Sequence, residues 1–157
     1  MQDLPPFIEK LDYSVELSWD GETGASVECD NCGDLRIDMP EEFSGNGRSP
    51  CPDQLFLASL GGCLLTTFLH FAKRLQLEAQ DINVSVGGKV SLRKGVGYRV
   101  GPVEARIRVM TDAEDVELAE KCSELARDYC HITRSIEDSV RVDVSIEVTA
   151  SSHLNSL

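Results

Sequence analysis

Two cysteines carry the chemistry that this sequence most clearly suggests. Cys63 lies inside the apolar run 55–69, and Cys130 directly follows an amphipathic segment that ends near Tyr129. A thiol reacts quickly only when its pKa is low and solvent can reach it. Two such thiols that meet in space can cycle between a dithiol and a disulfide. Their sequence separation does not show that they meet, so the alternative is that both are small apolar core side chains.

Three further cysteines precede Cys63, and two of them flank a predicted turn. Cys29 and Cys32 form a C-x-x-C pattern, and Cys51 lies further along the chain. A structural zinc ion needs four ligands, and no second C-x-x-C or histidine pair follows at a usual spacing. A redox C-x-x-C is expected between a strand and a helix, whereas two predicted strands flank this one. Ordinary turn cysteines are the favoured interpretation, with a zinc site or a local disulfide as alternatives, and we expect no metal and no cofactor.

Polar residues that could support the Cys63 thiolate lie on both sides of it. Arg48, in the glycine-rich loop 45–48, could supply a nearby cation, or it could be a solvated loop charge. Asp53 precedes Cys63 by about three helical turns, so the two lie on one helix face, about 15 Å apart along the axis. Asp53 would therefore act through another group or across a dimer interface, unless it is an ordinary acid at a helix N-terminus. His70 is predicted to be a core or boundary histidine.

The elements that must position these residues follow an α+β order. The patterns predict strands over 13–19, 25–29, 35–39, 82–92, 98–110 and 141–149, and helices over 53–77, from a capping box at 111–114 to about 129, and over 133–139. The helix over 53–77 is apolar on nearly every side, which predicts burial all round. One short chain covers such a helix poorly, so we expect a symmetric dimer, with Gly61 and Gly62 allowing close backbone approach.

The length and net charge of the chain limit its domain count and its classes of partner. The chain has 157 residues, which suits a single domain, with a core over about 13–149 and flexible ends at 1–12 and 150–157. Its 15 Lys and Arg against 27 Asp and Glu give a net charge of -12. No basic stripe is visible, which argues against nucleic acid and against an anionic membrane surface as partners. The N-terminus lacks a signal-peptide pattern, and polar residues interrupt the apolar run, so we expect a cytoplasmic protein without a membrane span.

Three stretches give the chain a resemblance to the OsmC/Ohr family of thiol-dependent peroxidases. They are the loop 39–47 (MPEEFSGNG), the helix opening 49–63 (SPCPDQLFLASLGGC) and the segment 129–136 (YCHITRSI). Each is moderately specific by itself, and all three in this order are specific. The similarity runs from about residue 15 to residue 148, which is most of the chain.

The resemblance implies an OsmC-like α+β fold, with antiparallel sheets around a long central helix in an intertwined homodimer. It implies that Cys63 attacks a hydroperoxide and forms a sulfenic acid, which Cys130 resolves as a disulfide. The expected activity is a peroxiredoxin-like reduction of organic hydroperoxides or hydrogen peroxide. A dithiol reductant, of the lipoyl type in the organic-hydroperoxide branch, would restore the pair.

The chain departs from the family pattern in three places. Strongly active members pair an N-terminal arginine with a glutamate on the long helix; here the acid position holds Asp53, and the turn 19–24 has no arginine. Arg48 or Arg36 could substitute. His131 follows the second cysteine, where the family has proline. These differences leave open an alternative function, a non-catalytic small-molecule or thiol-binding protein that lacks an effective activating arginine and keeps a thiol pKa near ~8.5.

Overall fold

The chain forms two compact units, Met1–Pro52 and Asp53–Leu157, which we call the N-terminal and C-terminal units. The computed structural model describes residues 10–151. The ends predicted to be flexible, 1–12 and 150–157, lie mostly outside the described residues. The single-domain organisation stays a prediction.

The N-terminal unit is built on a three-stranded antiparallel meander. Its strands are β1 (Glu16–Trp19), β2 (Gly24–Glu28) and β3 (Leu35–Asp38), in the order β1-β2-β3, followed by a 3-10 turn at Glu41–Phe43. Glycine is required where β2 begins, because a Cβ on Gly24 would lie 2.7 Å from the Ile37 carbonyl oxygen. All three strands lie where the alternating sequence pattern predicts them, although β1 is shorter.

The C-terminal unit contains a long helix, a second three-stranded sheet and two shorter helices. The elements are α1 (Pro52–Leu75), β4 (Asp81–Arg93), β5 (Gly97–Thr111), α2 (Val116–Tyr129), α3 (His131–Ile136) and β6 (Val142–Ala150). The sheet order is β4-β5-β6. The α+β class is confirmed, and the sheets are antiparallel except for the β5–β6 pair, which is parallel. The reason is that α2 and α3 form a crossover that returns the chain to the end where β5 starts.

The core of the C-terminal unit lies between the sheet and one side of α1 and α2. Alternate residues of β5 point inward, as the two-residue period of a strand requires. The buried apolar side chains are Leu60, Cys63, Leu64, Phe68, Ala72, Leu77, Val103, Ala105, Ile107, Val109, Ala119, Cys122, Ala126 and Cys130. One chain leaves part of α1 uncovered, as expected from the apolar character of this helix on nearly every side: Leu69 and Leu75 are 47% and 42% exposed.

Helix α1 is long and apolar enough to cross a membrane by length and composition alone, with a window of mean hydropathy 1.7. The core helix of a soluble protein passes the same test. Its buried side chains Leu60, Leu64 and Phe68 belong to the core just described.

The predicted capping box before α2 does not form. Thr111 is instead the buried last residue of β5, and the side chain of Asp112 makes no capping hydrogen bond. The Asp112 carboxylate accepts hydrogen bonds from Gln80 Nε2 at 2.6 Å and Ser151 Oγ at 3.2 Å. A 3-10 turn at Ala113–Asp115 then leads into α2. Sheet pairing of Thr111 outweighs the local capping preference at this point.

Candidate functional site

The structure brings Cys63 and Cys130 together in the C-terminal unit. Cys63 lies on the inner face of α1 and is 5% exposed, while Cys130 is fully buried where α2 ends and α3 begins. The two side chains are close enough to hydrogen-bond, and both are free thiols. Thr133 Oγ1 donates to Cys130 Sγ at 3.2 Å, which fixes the second thiol against the first turn of α3.

The surroundings of Cys63 act on its thiolate in opposite directions. Burial is the largest influence and raises the pKa, and the neighbouring Cys130 side chain raises it further. Hydrogen bonds from the Ile132 backbone N–H and the Thr67 hydroxyl lower it. The pKa of Cys63 is raised overall. This direction differs from the low pKa that the peroxidase hypothesis expects, because no cation offsets the burial among these contacts.

A histidine that the sequence marked only as a departure from the family pattern also contacts the site. His131 Nδ1 lies 3.5 Å and Nε2 3.9 Å from Cys63 Sγ. The residue is exposed, whereas Cys63 is only 5% exposed, so the contact joins a buried thiol to a surface imidazole. Sequence reasoning missed this partner because the contact joins α1 to the start of α3, across a long sequence separation. The available signal was histidine in place of proline directly after Cys130.

Arg48 is bound to three carboxylates of the N-terminal unit. Its Nε donates to Asp38 at 2.7 Å, Nη1 to Glu22 at 2.8 Å and Nη2 to Asp20 at 2.6 Å. The hydrogen bond from Arg48, followed by that from the Thr23 hydroxyl, holds the pKa of the buried Asp38 far below its usual range. Asp38 and Asp20 in turn raise the pKa of Arg48. These contacts favour a structural function for Arg48, and its support of Cys63 stays a prediction.

The other candidates lie in separate places. Asp53 is in the first turn of α1 and is half-buried. His70, on the same helix, is exposed rather than in the core, and its ring makes an edge contact with Phe71. Arg36 is exposed and lies 3.9 Å from Asp34. The catalytic roles given to Asp53 and Arg36 stay predictions.

The C-x-x-C cysteines form a disulfide. Cys29 and Cys32 are bonded to each other in the turn between β2 and β3, while Cys51 is half-buried and is not part of a disulfide. The interpretation as ordinary turn cysteines is therefore wrong. A zinc site made with Cys51 is wrong too, because disulfide sulfurs carry no thiolate for a metal. Within residues 10–151, no group of three or more His, Cys, Asp and Glu side chains could hold a metal ion.

Comparison with known proteins identifies the class to which this fold and cysteine pair belong. Residues 45–145 match the family model described as OsmC-like protein, which is more than half of the chain. The protein belongs to the OsmC-like family.

The chain is also similar to individual relatives and to solved structures. YmaD of Bacillus subtilis is 30% identical over 71% of this chain and 77% of its own length. Organic hydroperoxide resistance protein-like 2 of Staphylococcus saprophyticus is 26% identical over 90% of this chain and 99% of its own. The crystal structure of an organic hydroperoxide resistance protein OsmC from Legionella pneumophila matches with a TM-score of 0.68 at 24% identity, covering 88% of this chain and all of that one. An OsmC-like protein of Mycoplasma pneumoniae matches with a TM-score of 0.75 at 12% identity, covering 90% and 99%. These two structures share the fold.

Proposed function

We propose that this protein is a thiol-dependent peroxidase that reduces hydroperoxides through Cys63 and Cys130. The observation that carries the proposal is the contact of two free thiols from distant parts of the chain, one of which also contacts an exposed histidine. The similarity to a protein named for organic hydroperoxide resistance supports the substrate class. Cys63 is the proposed nucleophile because it contacts the exposed His131, whereas Cys130 is fully buried.

The reaction balances with these two thiols alone. Cys63 Sγ attacks the distal peroxide oxygen, the O–O bond breaks, and an alcohol leaves while Cys63 becomes a sulfenic acid. Cys130 then attacks the sulfenic sulfur and releases water, which forms the disulfide. A dithiol reductant, for which we propose a lipoyl-type molecule, exchanges with the disulfide and restores both thiols. The need for continual reduction suits the cytoplasm.

The surroundings of Cys63 favour an organic hydroperoxide over hydrogen peroxide. Cys63 belongs to the apolar core cluster, together with its helix neighbours Leu60 and Leu64. The half-buried Ile132, which follows His131, packs against the same cluster. An alkyl or aryl hydroperoxide would remove apolar surface from water on approaching this thiol, whereas hydrogen peroxide would not.

The test is mass spectrometry of the reduced full-length protein after one equivalent of cumene hydroperoxide or hydrogen peroxide. We expect a rapid loss of two hydrogens, mapped to a Cys63–Cys130 bridge, and a faster reaction with cumene hydroperoxide. Cys122→Ala is the matched control, because Cys122 is a fully buried free thiol of the same unit. Two thiols that stay reduced at Cys63 and Cys130 would contradict the proposal.

The alternative function is a non-catalytic small-molecule or thiol-binding protein. Two observations favour it: the raised pKa of Cys63, and the engagement of Arg48 by three carboxylates. This alternative predicts that Cys63 does not react with either peroxide faster than Cys51, which is half-buried. Comparing the oxidation rates of the two cysteines in one peptide map therefore separates the two functions.

We also propose that the protein is a homodimer. An open groove of about 390 Å³ runs along α1 at Gly61 and Gly62 and is bordered by Val84 and Val86 of β4. A Cβ on Gly62 would meet no atom within 4 Å, so the helix backbone is open there. A second copy of α1 crossing at this point would cover apolar surface that one chain leaves in water.

A further inference from the structure

The contact between Cys63 and His131 addresses a chemical difficulty at the site. Cys63 is nearly buried, and its pKa is raised, so the thiol keeps its proton at neutral pH. A thiol is a poor nucleophile until that proton leaves. Attack on a peroxide therefore needs a group that receives the proton at Sγ.

Among the described side chains that hydrogen-bond Cys63, only one is suited to this task. Thr67 donates a hydroxyl proton, and Cys130 is a second thiol that raises the pKa of the first. His131 places Nδ1 at 3.5 Å from Sγ. Histidine is the side chain that most often takes up and returns a proton near neutral pH.

We propose that His131 is a catalytic residue that forms a proton-transfer dyad with Cys63. The imidazole accepts the thiol proton as Sγ attacks the distal peroxide oxygen, and the O–O bond breaks. The imidazolium then gives the proton to the departing alkoxide, so thiol and hydroperoxide become sulfenic acid and alcohol. The dyad rests on the proposed peroxidase function for its reaction, but the proton transfer itself can be measured without peroxide.

The position of His131 suits both halves of this transfer. It is the first residue of α3, directly after Cys130, so the backbone that holds the resolving thiol also holds the base. The residue is exposed, so it can return the proton to an alkoxide that leaves toward solvent. In the dyad, local proton transfer takes the place of activation by an arginine cation. This role for His131 is consistent with the ion pairs of Arg48 with Asp20, Glu22 and Asp38.

The test compares His131→Gln and His131→Ala with the wild-type full-length protein. The first readout is the rate at which iodoacetamide alkylates Cys63 at neutral pH, resolved by peptide mass spectrometry. The second is the rate of Cys63 oxidation by cumene hydroperoxide. We expect alkylation to slow about ten-fold or more and oxidation to slow about 10²-fold, the lower end of general acid–base effects. Added imidazole should restore a measurable part of the rate in His131→Ala, which a merely structural change would not allow.

His70→Ala is the matched control, because it removes the other described exposed histidine of the C-terminal unit. It should leave both rates unchanged, and circular dichroism should show that all variants fold. Wild-type or faster rates at Cys63 in both His131 variants would overturn the dyad while leaving the peroxidase proposal standing. If alkylation of Cys63 depends on His131 but the protein reacts with no hydroperoxide, the dyad is supported and the peroxidase function is contradicted.

Discussion

At the scale of single residues, the neighbours of Cys63 act on its pKa in opposite directions. Burial and Cys130 favour the protonated thiol, while Ile132 and Thr67 favour the thiolate. A static thiolate at neutral pH would need a cation to outweigh the burial. His131 provides a different route, because a proton acceptor is needed only while Sγ is attacking.

Replacing the resolving thiol should stop the proposed cycle after its first step. In Cys130→Ser, Cys63 has no thiol partner, so one equivalent of cumene hydroperoxide should leave a Cys63 sulfenic acid. Dimedone should trap this species, and mass spectrometry should place the adduct on Cys63. Losing the Cys130 thiol should also lower the pKa of Cys63, because the Cys130 side chain raises it.

The same treatment of Cys63→Ser serves as the control, since it should yield no adduct at Cys130. An adduct at Cys130 in that variant, or a disulfide between Cys130 and Cys122 in the wild type, would contradict the order of events.

The sequence predicted part of this site and could not predict the rest. Cys63 and Cys130 stood out because the three motifs are specific when taken in this order, and the structure brings the two thiols together. The contact of His131 with Cys63 depends on how α3 begins relative to α1, and local pattern carries no such information. The partners of Arg48 were unpredictable for the same reason. Its loop was recognisable in the sequence, but its three carboxylate partners lie 10 to 28 residues earlier in the chain.

At the scale of elements, the Arg48 cluster holds together the loops of the N-terminal unit. Asp38, at the end of β3, accepts from the Arg48 side chain and backbone, from Thr23, and from the Met39 backbone. A buried carboxylate with so many donors is stabilised in its charged form. The loop 45–48 is thereby tied to the sheet through one acid.

Acid should weaken the N-terminal unit through Asp38. The pKa of this group is lowered on folding, so its contribution is present above the ordinary carboxyl pKa and is lost as pH falls through the folded value. We expect the urea midpoint to fall as pH drops from about 5 to about 3. The fluorescence of Trp19, the single tryptophan, reports on this unit.

Asp38→Asn should lower the midpoint at neutral pH and flatten its dependence on acid. Glu28→Gln is the matched control, because Glu28 is an exposed acid of the same sheet. An unchanged pH dependence in Asp38→Asn would show that other carboxylates dominate.

The Cys29–Cys32 disulfide should contribute only modestly to stability. It closes a loop of four residues between β2 and β3, and the chain-entropy estimate for so short a loop is about 2 kcal/mol. Reduction should therefore lower the free energy of unfolding of the N-terminal unit by no more than this, as followed by Trp19 fluorescence in urea. The double variant Cys29→Ser Cys32→Ser should lose the response to reductant. A much larger loss of unfolding free energy would mean that the disulfide stabilises more of the N-terminal unit than the turn it closes.

Most elements were predictable because their periodicity is strong. The alternation in β4 and β5 and the apolar run of α1 gave boundaries within a few residues of those observed. Two features were not predictable in the same way. The parallel placement of β6 results from the crossover through α2 and α3. At 111–114, strand pairing of Thr111 outweighs the local preference for a capping box.

At the scale of the whole molecule, exposed apolar surface is the feature that one chain leaves unexplained. In the N-terminal unit, alternate residues from Leu11 to Trp19 are 51–87% exposed. In the C-terminal unit, Leu92, Val96 and Tyr98 at the far end of the β4–β5 hairpin are 57–64% exposed, and the groove at Gly62 is open. Apolar surface of this extent typically marks an interface, which is why we propose that two copies associate.

Adjacent glycines on α1 allow a sharp test of that association. In an isolated chain, Gly62→Ala should raise stability by about 1 kcal/mol, because alanine favours a helix and its Cβ meets no atom. If a second α1 crosses there, the same methyl should instead weaken dimerisation, measured as a higher dissociation constant by sedimentation equilibrium. Gly61→Ala is the contrast, because its Cβ would lie 2.9 Å from Val86 within the same unit and should disturb packing at any protein concentration. If the protein is a monomer at every concentration and Gly62→Ala only raises its stability, the dimer is ruled out. The exposed apolar surfaces would then need another partner.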